Sequence, residues 1–260
     1  MLDLIVKDQI AFVTLARPEK HNAFDDQLIL KFSDILEKLQ KDVDIRILVL
    51  TSEGPNFSSG ADLNWMQKMA HYNKDDNFKD AQALARLMHL LYHFPKPTLV
   101  KVQGMTLGGG VGLIAACDIA IADEQASFAL SEVKLGLIPA VISPYVISVM
   151  GARAARRYFL TGEFFSAQEA LRWGLLHQLA SLDELDSILN DLIIKLKKAG
   201  PYAQIQAKKL ILDLQQHYDT PSLHMDMAER IASIRISSEG QEGLNAFLNK
   251  RSPSWIKEIK

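Results

Sequence analysis

The chain has 260 residues, 48% hydrophobic and 23% charged, enough apolar material for one large domain or one domain with a small appendage, and this excludes a disordered or fibrous protein. Lys plus Arg number 29 against 31 Asp plus Glu, a formal net charge of −2, so no broad cationic field exists to hold a nucleic acid or an anionic membrane. The single cysteine, Cys117, excludes an internal disulfide and a Cys-rich zinc site and suits a reducing cytoplasm.

In chain order, MLDLIVKDQI mixes Asp and Lys into its apolar residues and lacks a secretory apolar core. LIVK and IAFVTLA alternate and predict a strand hairpin turning at Asp8 and Gln9. From Asp25, an N-cap residue type, Leu28, Phe32, Leu36 and Leu39 recur at helical spacing; IRILVLT (45–51) then reads as a strand covered on both faces. DAQALARLMHLLYHF predicts a second helix stopped by Pro95 and Pro97, and TLVKVQ (98–103) another buried strand. After Gly104, TLGGGVGLIAACD opens an apolar helix that includes Cys117, and DIAIAD and SFAL follow as short strands. The most apolar stretch, LGLIPAVISPYVISVMGA (135–152), carries Pro139, Pro144, Ser143 and Ser148; it predicts buried turns and a short helix, not a membrane span. From about residue 183 every periodic segment is helical. The expected organisation is an α/β core over residues 1–200 and a helical segment over 201–260, with no low-complexity linker.

Several familiar signatures fail. Gly108, Gly109, Gly110 and Gly112 do not make GxGxxG, because Leu113 stands where the last glycine would fall, and no Lys-Ser/Thr follows to make a phosphate loop. His89 and His93 are four apart on a predicted helix, but no Glu follows the first and no third ligand is evident, so no metal is expected. Ser58 and Ser59 lack a surrounding GxSxG, and Cys117 reads as inert packing. Two glycine-containing loops remain, FSSGADL (57–63) and QGMTLGGGVGL (103–113), each joining a buried strand to a helix. Such loops let a ligand carbonyl approach the main chain, and helix N-termini present unpaired N–H groups. Either loop alone is simply a tight turn; together they can pinch one oxygen.

With ARPEKHNAF (16–24), FSSGADLNWM (57–66), KVQGMTLGGGVGLIAACDIAIADEQASFALSEVKLGLIP (101–139), GARAARRYFLTGEFFSAQEALRWGLL (151–176) and AFLNKRSP near the end, the sequence resembles the crotonase, or enoyl-CoA hydratase/isomerase, family over essentially its whole length. The resemblance implies an α/β fold: a crotonase-like spiral of ββα turns with a helical C-terminal trimerisation segment, in homotrimers that often pair into hexamers. It implies an acyl-coenzyme A thioester substrate, no separate cofactor, and a thioester carbonyl held between the backbone N–H groups of Ala61 and Gly109. In other enzymes one such donor is worth about 3–4 kcal/mol of barrier.

By composition alone Glu132 is a solvated acid, but LSEVKLGLIP matches the family's second catalytic-glutamate segment, and its apolar neighbours are expected to raise its pKa toward neutrality. The family's first catalytic glutamate falls on Gly112. Glu132 alone then either handles one water in a hydration or shuttles a proton from the γ to the α carbon as a 3-enoyl to 2-enoyl isomerase. A closer resemblance, to bacterial hydratases of methylglutaconyl-CoA or geranyl-type branched acyl-CoAs in leucine or isoprenoid breakdown, tips the choice toward hydration. Ser131, Ser143 or an ordered water is then the candidate assistant. The resemblance also carries over coenzyme A contacts: Lys20 and Ala23, the backbone around Ser59, Asp62 and Leu63, and Phe247 with Lys250 on one helix face, reaching in from a neighbouring subunit. Trp65, Met66 and Met69 are candidates for the acyl pocket or for plain core. A hydrolase or decarboxylase of the same fold, a non-catalytic acyl-CoA binding protein and an RNA-binding relative are the other readings. The expected location is cytoplasmic.

Overall fold

The computed structural model describes residues 1–215 and 221–256. They fall into two units: Met1–Phe94 with Thr98–Leu189, and Pro95–Pro97 with the chain from Asn190 onward. The first unit thus ends at Leu189, ahead of the boundary expected near residue 200, and takes all the strands.

The first unit opens with strands β1 (Leu2–Lys7) and β2 (Ile10–Leu15), an antiparallel hairpin as expected, with Asp8 and Gln9 at φ 52° and 68° in its two-residue turn. Helix α1 (Asp26–Lys41) follows, its N-terminus capped by the Asp25 carboxylate, which accepts from Leu28 N at 2.8 Å. Its inward stripe includes Leu28, Phe32, Leu36 and Leu39, all buried, as the spacing required. Strand β3 (Ile47–Ser52) buries its first four residues without alternation, the mark of a strand covered on both faces. Next come α2 (Leu63–Met69) and α3 (Lys74–Tyr92), the latter starting behind the N-cap Asn73 and not at Asp80.

Then follow β4 (Thr98–Val102), β5 (Met105–Leu107), α4 (Gly109–Ala116), β6 (Ile119–Asp123) and β7 (Ser127–Ala129), a 3-10 turn at Glu132–Leu135, and α5 (Ser143–Thr161). Cys117 caps the C-terminus of α4 instead of lying inside it. The 135–152 stretch departs from expectation. Leu135, Leu137 and Ile138 are 60%, 54% and 74% exposed, not buried, and the helix that follows is long, broken only at Gly151, φ 72°. Pro144 does not stop it because it lies in the first turn, where a missing N–H costs nothing. Strand β8 (Phe164–Ser166), helix α6 (Ala167–Arg172) and strand β9 (Gln178–Ala180) complete the unit.

The strands form a six-stranded sheet in the order β1-β2-β3-β4-β6-β9, parallel apart from β1, and a three-stranded sheet in the order β5-β7-β8. The chain alternates between them. After β3 it bridges at Ser58 to Thr106 of β5, and after β4 it runs through β5, where Thr106 also pairs with Phe128 of β7. After β6 it runs through β7. Ser58, Thr106 and Phe128 are thus neighbouring rungs of one ladder, with strands about 4.8 Å apart. Three residues beyond each rung lie Ala61, Gly109 and Ser131, so successive turns of the chain deliver them to the same end of that ladder.

Helix α7 (Leu185–Lys198) carries the chain into the second unit, which consists of α8 (Pro201–Leu214), α9 (Pro221–Ile236) and α10 (Ser238–Leu248), helical as expected. The Glu239 carboxylate caps α8, accepting from Tyr202 N and Ala203 N at 2.9 and 2.8 Å. No helix among the described residues is long and apolar enough to cross a membrane.

Candidate active site

The 58–62 loop is held by a parallel β-bridge between Phe24 and Ala61: Phe24 N donates to Gly60 O and Asp62 N donates to Phe24 O, both at 2.7 Å. In such a bridge the partner is bonded by the residues flanking Ala61, so Ala61's own N–H points to the opposite side. Gly60, at φ 85°, supplies the backbone turn. Ser58 Oγ donates to Asn22 O at 2.9 Å and accepts from Gly60 N at 3.3 Å, and Asp62 caps α2 by accepting from Asn64 N and Trp65 N.

The 106–110 loop is fixed by volume. Gly108, at φ 49°, donates its N–H to Ala129 O at 3.0 Å, and α4 begins at Gly109, whose first-turn N–H has no intrahelical acceptor. A Cβ on Gly109 would meet the Phe24 ring at 2.7 Å, and one on Gly110 would meet Ser58 Cβ and Thr106 Cγ2 at 2.9 Å. The second loop therefore stacks directly on the first.

Glu132 leaves β7 at the start of the 3-10 turn, and its Oε1 lies so close to Gly108 that a Cβ there would be 3.0 Å away. Its Oε2 is buried without a hydrogen-bond partner, and burial pushes the carboxyl above its usual 4.5. An unpaired buried acceptor costs about 1–3 kcal/mol, a cost that an arriving donor recovers. The position of a first carboxylate is closed: a Cβ on Gly112 would meet Ile142 Cγ2 at 2.3 Å and Met88 Cε at 3.3 Å.

Ala61, Gly109 and Glu132 line one cavity of about 780 Å³, together with Trp65, Met66 and Met69. Its polar wall includes Ser131, Asn77 and Asp80, the last accepting from Trp65 Nε1 at 3.0 Å and shifted upward by burial. Asp80 is not among the sequence-derived candidates, because the apolar period of DAQALARLMHLLYHF puts it at a helix start and not inside α3. The signal was its place one turn before Leu84 and two before Met88, on the inward stripe of α3.

The other expected contacts divide. Lys20, Ala23, Ser59 and Asp62 come together: Lys20 Nζ lies 2.9 Å from Asp62 Oδ2, Ser59 Oγ donates to Lys20 O at 3.4 Å, and Ala23 N donates to Lys20 O at 3.0 Å. The Lys20 ammonium holds the Asp62 carboxyl below its usual value. Ser59 and the exposed Leu63 line the cavity. Ser143 does not line it; its hydroxyl donates to Ala140 O at 2.8 Å. Phe247 is 81% exposed, but α10 ends at Leu248 and Lys250 has φ 52°, so the two do not share a helix face as expected. A left-handed residue just beyond the C-cap ends the helical spacing that the three-residue interval assumed. The ring centroids of His89 and His93 lie 4.1 Å apart with the planes tilted by 31°, and no cluster of three His, Cys, Asp or Glu among the described residues is placed to hold a metal ion.

A family model described as enoyl-CoA hydratase/isomerase matches residues 6–258. The structure of an enoyl-CoA hydratase from Shewanella pealeana aligns with a TM-score of 0.95 at 49% identity, covering 98% of this chain and 95% of that one. An enoyl-CoA hydratase/isomerase from Marinobacter aquaeolei aligns at 0.92 and 32%, covering 98% of each chain. The human enoyl-CoA hydratase domain-containing protein 3, mitochondrial, is 32% identical over 262 residues, 96% of this chain and 82% of that protein. The chain belongs to the enoyl-CoA hydratase/isomerase, or crotonase, family.

Proposed function

We propose that the protein hydrates a 2-enoyl-CoA thioester, using the N–H groups of Ala61 and Gly109 as an oxyanion hole and Glu132 as the one acid/base. The observation that carries this reading is a buried carboxylate with an unpaired oxygen and a raised pKa, in the same cavity as two backbone amides that donate to nothing among the described residues. Water oxygen bonds to the β carbon as Glu132 accepts its proton. The double-bond electrons move through the α carbon onto the thioester oxygen, where the two amides stabilise the charge. Glu132 then returns a proton to the α carbon, closing the balance.

Coenzyme A is taken to lie along Lys20, Ala23, Ser59, Asp62 and Leu63, with Phe247 and Lys250 supplied by a neighbouring subunit of a trimer or hexamer. The roomy cavity has space for a branched acyl group, and the choice of the methylglutaconyl or geranyl type rests on the sequence resemblance alone. A second reading, 3-enoyl to 2-enoyl isomerisation, is favoured by the closed space at Gly112, since a single acid suffices to move one proton from the γ to the α carbon.

Purified protein given crotonyl-CoA, methylglutaconyl-CoA and 3-hexenoyl-CoA separately in deuterated water decides between them. The hydratase adds the mass of water; the isomerase converts 3-hexenoyl-CoA with at most deuterium exchange. If none of the three is altered, the enzymatic reading fails and a non-catalytic acyl-CoA binder remains.

A further inference from the structure

We propose that Arg17, which none of the chemistry above uses, is a positioning residue for the oxyanion hole. The inference rests on the oxyanion reading of Ala61 and Gly109. Arg17 is buried, and its guanidinium reaches both sides of the Phe24–Ala61 bridge. On the Phe24 side, Nη1 donates to Ala23 O at 3.2 Å and to Asp25 Oδ2 at 2.6 Å, the residues immediately before and after Phe24. On the Ala61 side, Nη2 donates at 3.3 Å to Oδ2 of Asp62, the residue immediately after Ala61. The Arg17 backbone is tied in as well, its N donating at 2.8 Å to Oδ1 of Asn22, whose amide donates in turn to Glu53 O and Asn56 O.

A planar, always-charged fork thus fixes the separation and register of the two segments whose bridge aims the Ala61 N–H into the cavity. The same fork acts on the second donor, because the Phe24 ring fills the space that a side chain on Gly109 would need. Lys20 does not duplicate it: it binds only Asp62 of the three acceptors, and its side chain is 41% exposed. Asp25 and Asp62 are the N-caps of α1 and α2, so loosening the fork loosens both helix starts that flank the bridge.

The test uses the full chain with Arg17→Lys, Arg17→Met and Asp62→Asn, and Arg86→Met as a control at an exposed pair with Glu37. Thermal melting establishes folding. Turnover of crotonyl-CoA gives kcat and KM, and infrared spectra of bound 13C-labelled crotonyl-CoA report how strongly the thioester carbonyl is polarised. Arg17→Met is expected to lower kcat by about tenfold to a hundredfold with little change in KM, because an interaction made mainly in the transition state is lost. The downshift of the bound carbonyl stretch should shrink with it, Arg17→Lys should recover part of both, and Arg86→Met should change neither. A folded Arg17→Met with wild-type kcat and carbonyl stretch overturns the proposal, as does a loss confined to KM. Should Arg17→Met not fold, Asp62→Asn, which keeps a capping oxygen but removes the charge, is read on kcat and the carbonyl stretch alone, since Asp62 is also taken to contact coenzyme A: a loss in both is expected, and wild-type values of both overturn the proposal. If the wild type neither turns over an enoyl-CoA nor polarises the carbonyl, it is the oxyanion reading that falls.

Discussion

The two loops that meet at the cavity come from consecutive turns of the chain but are secured by different physics. The 58–62 loop is held by directed polar contacts: a two-bond bridge to Phe24, the Ser58 hydroxyl, and Asp62 between Arg17 and Lys20. The 106–110 loop is held by the absence of side chains, its glycines pressed against Phe24, Ser58, Thr106 and Glu132. The first arrangement is sensitive to charge and proton concentration, the second to volume. One sheet rung carries both, so each loop has a mutational signature that the other should lack.

The largest effect is expected where the two loops converge. Glu132→Gln should cut turnover by about 10²–10⁴-fold, the range of a general acid–base group, while Tm holds or rises. The sign of the pH dependence follows from the raised carboxyl. Folding disfavours the ionised form, so Glu132 costs stability once ionised: the cost is absent below the ordinary 4.5 and complete above the raised folded value. Any Tm gain of Glu132→Gln should therefore grow from pH 4 to pH 8, and wild-type activity should show an acid limb above 4.5. A variant that keeps full turnover removes Glu132 from the chemistry.

Volume comes next. Gly112→Glu forces its Cβ to within 2.3 Å of Ile142 Cγ2, and overpacking of this kind costs about 1–3 kcal/mol or more. Ile142→Ala alone should cost about 2–5 kcal/mol as a cavity, yet Gly112→Glu combined with Ile142→Ala should lose less than the two singles summed, because one side chain occupies the space of the other. Urea melts of the four proteins measure the coupling, and strict additivity would mean that Ile142 is not what closes the position. Gly109→Ala is the milder case. Its methyl meets the edge of a single ring at 2.7 Å, and Phe24→Leu in the same chain should restore part of the loss in Tm.

This asymmetry also explains what was legible in the sequence. Period and caps carried the hairpin, α1, β3 and the glycine-led α4, and motif matching pointed to Glu132 and the two loops, which line one cavity. The three-residue strands are too short to have a period: SFAL reveals β7 by composition, while β5 looks like part of a glycine turn and β8 and β9 give no signal of their own. Leu135, Leu137 and Ile138 read as core because hydropathy does not report that a turn faces outward at the rim of a cavity. Arg17 was illegible because its contact to Asp62 lies 45 residues along the chain and no local pattern records such a partner, whereas Asp80 lay on the inward stripe of α3 but at the end where the apolar period fades.

The smallest expected effect is the one that separates the loops most cleanly. Asp62 is held below its usual 3.8 chiefly by Lys20, so the stability it contributes is present above that value and is lost as pH falls through the lower folded one. The 106–110 loop has no titrating group in its own packing apart from Glu132, which protonation relieves of a cost. Acidification should therefore loosen the Ala61 loop before the Gly109 loop. Hydrogen-exchange protection factors, corrected for intrinsic rates, should fall for Asp62 N between pH 5 and pH 3 while that of Gly108 N, bonded to Ala129 O, stays level. Equal losses at both amides would mean that the ion pairs at Asp62 do not hold the first loop separately, and that both loops open together with the sheet rung they share.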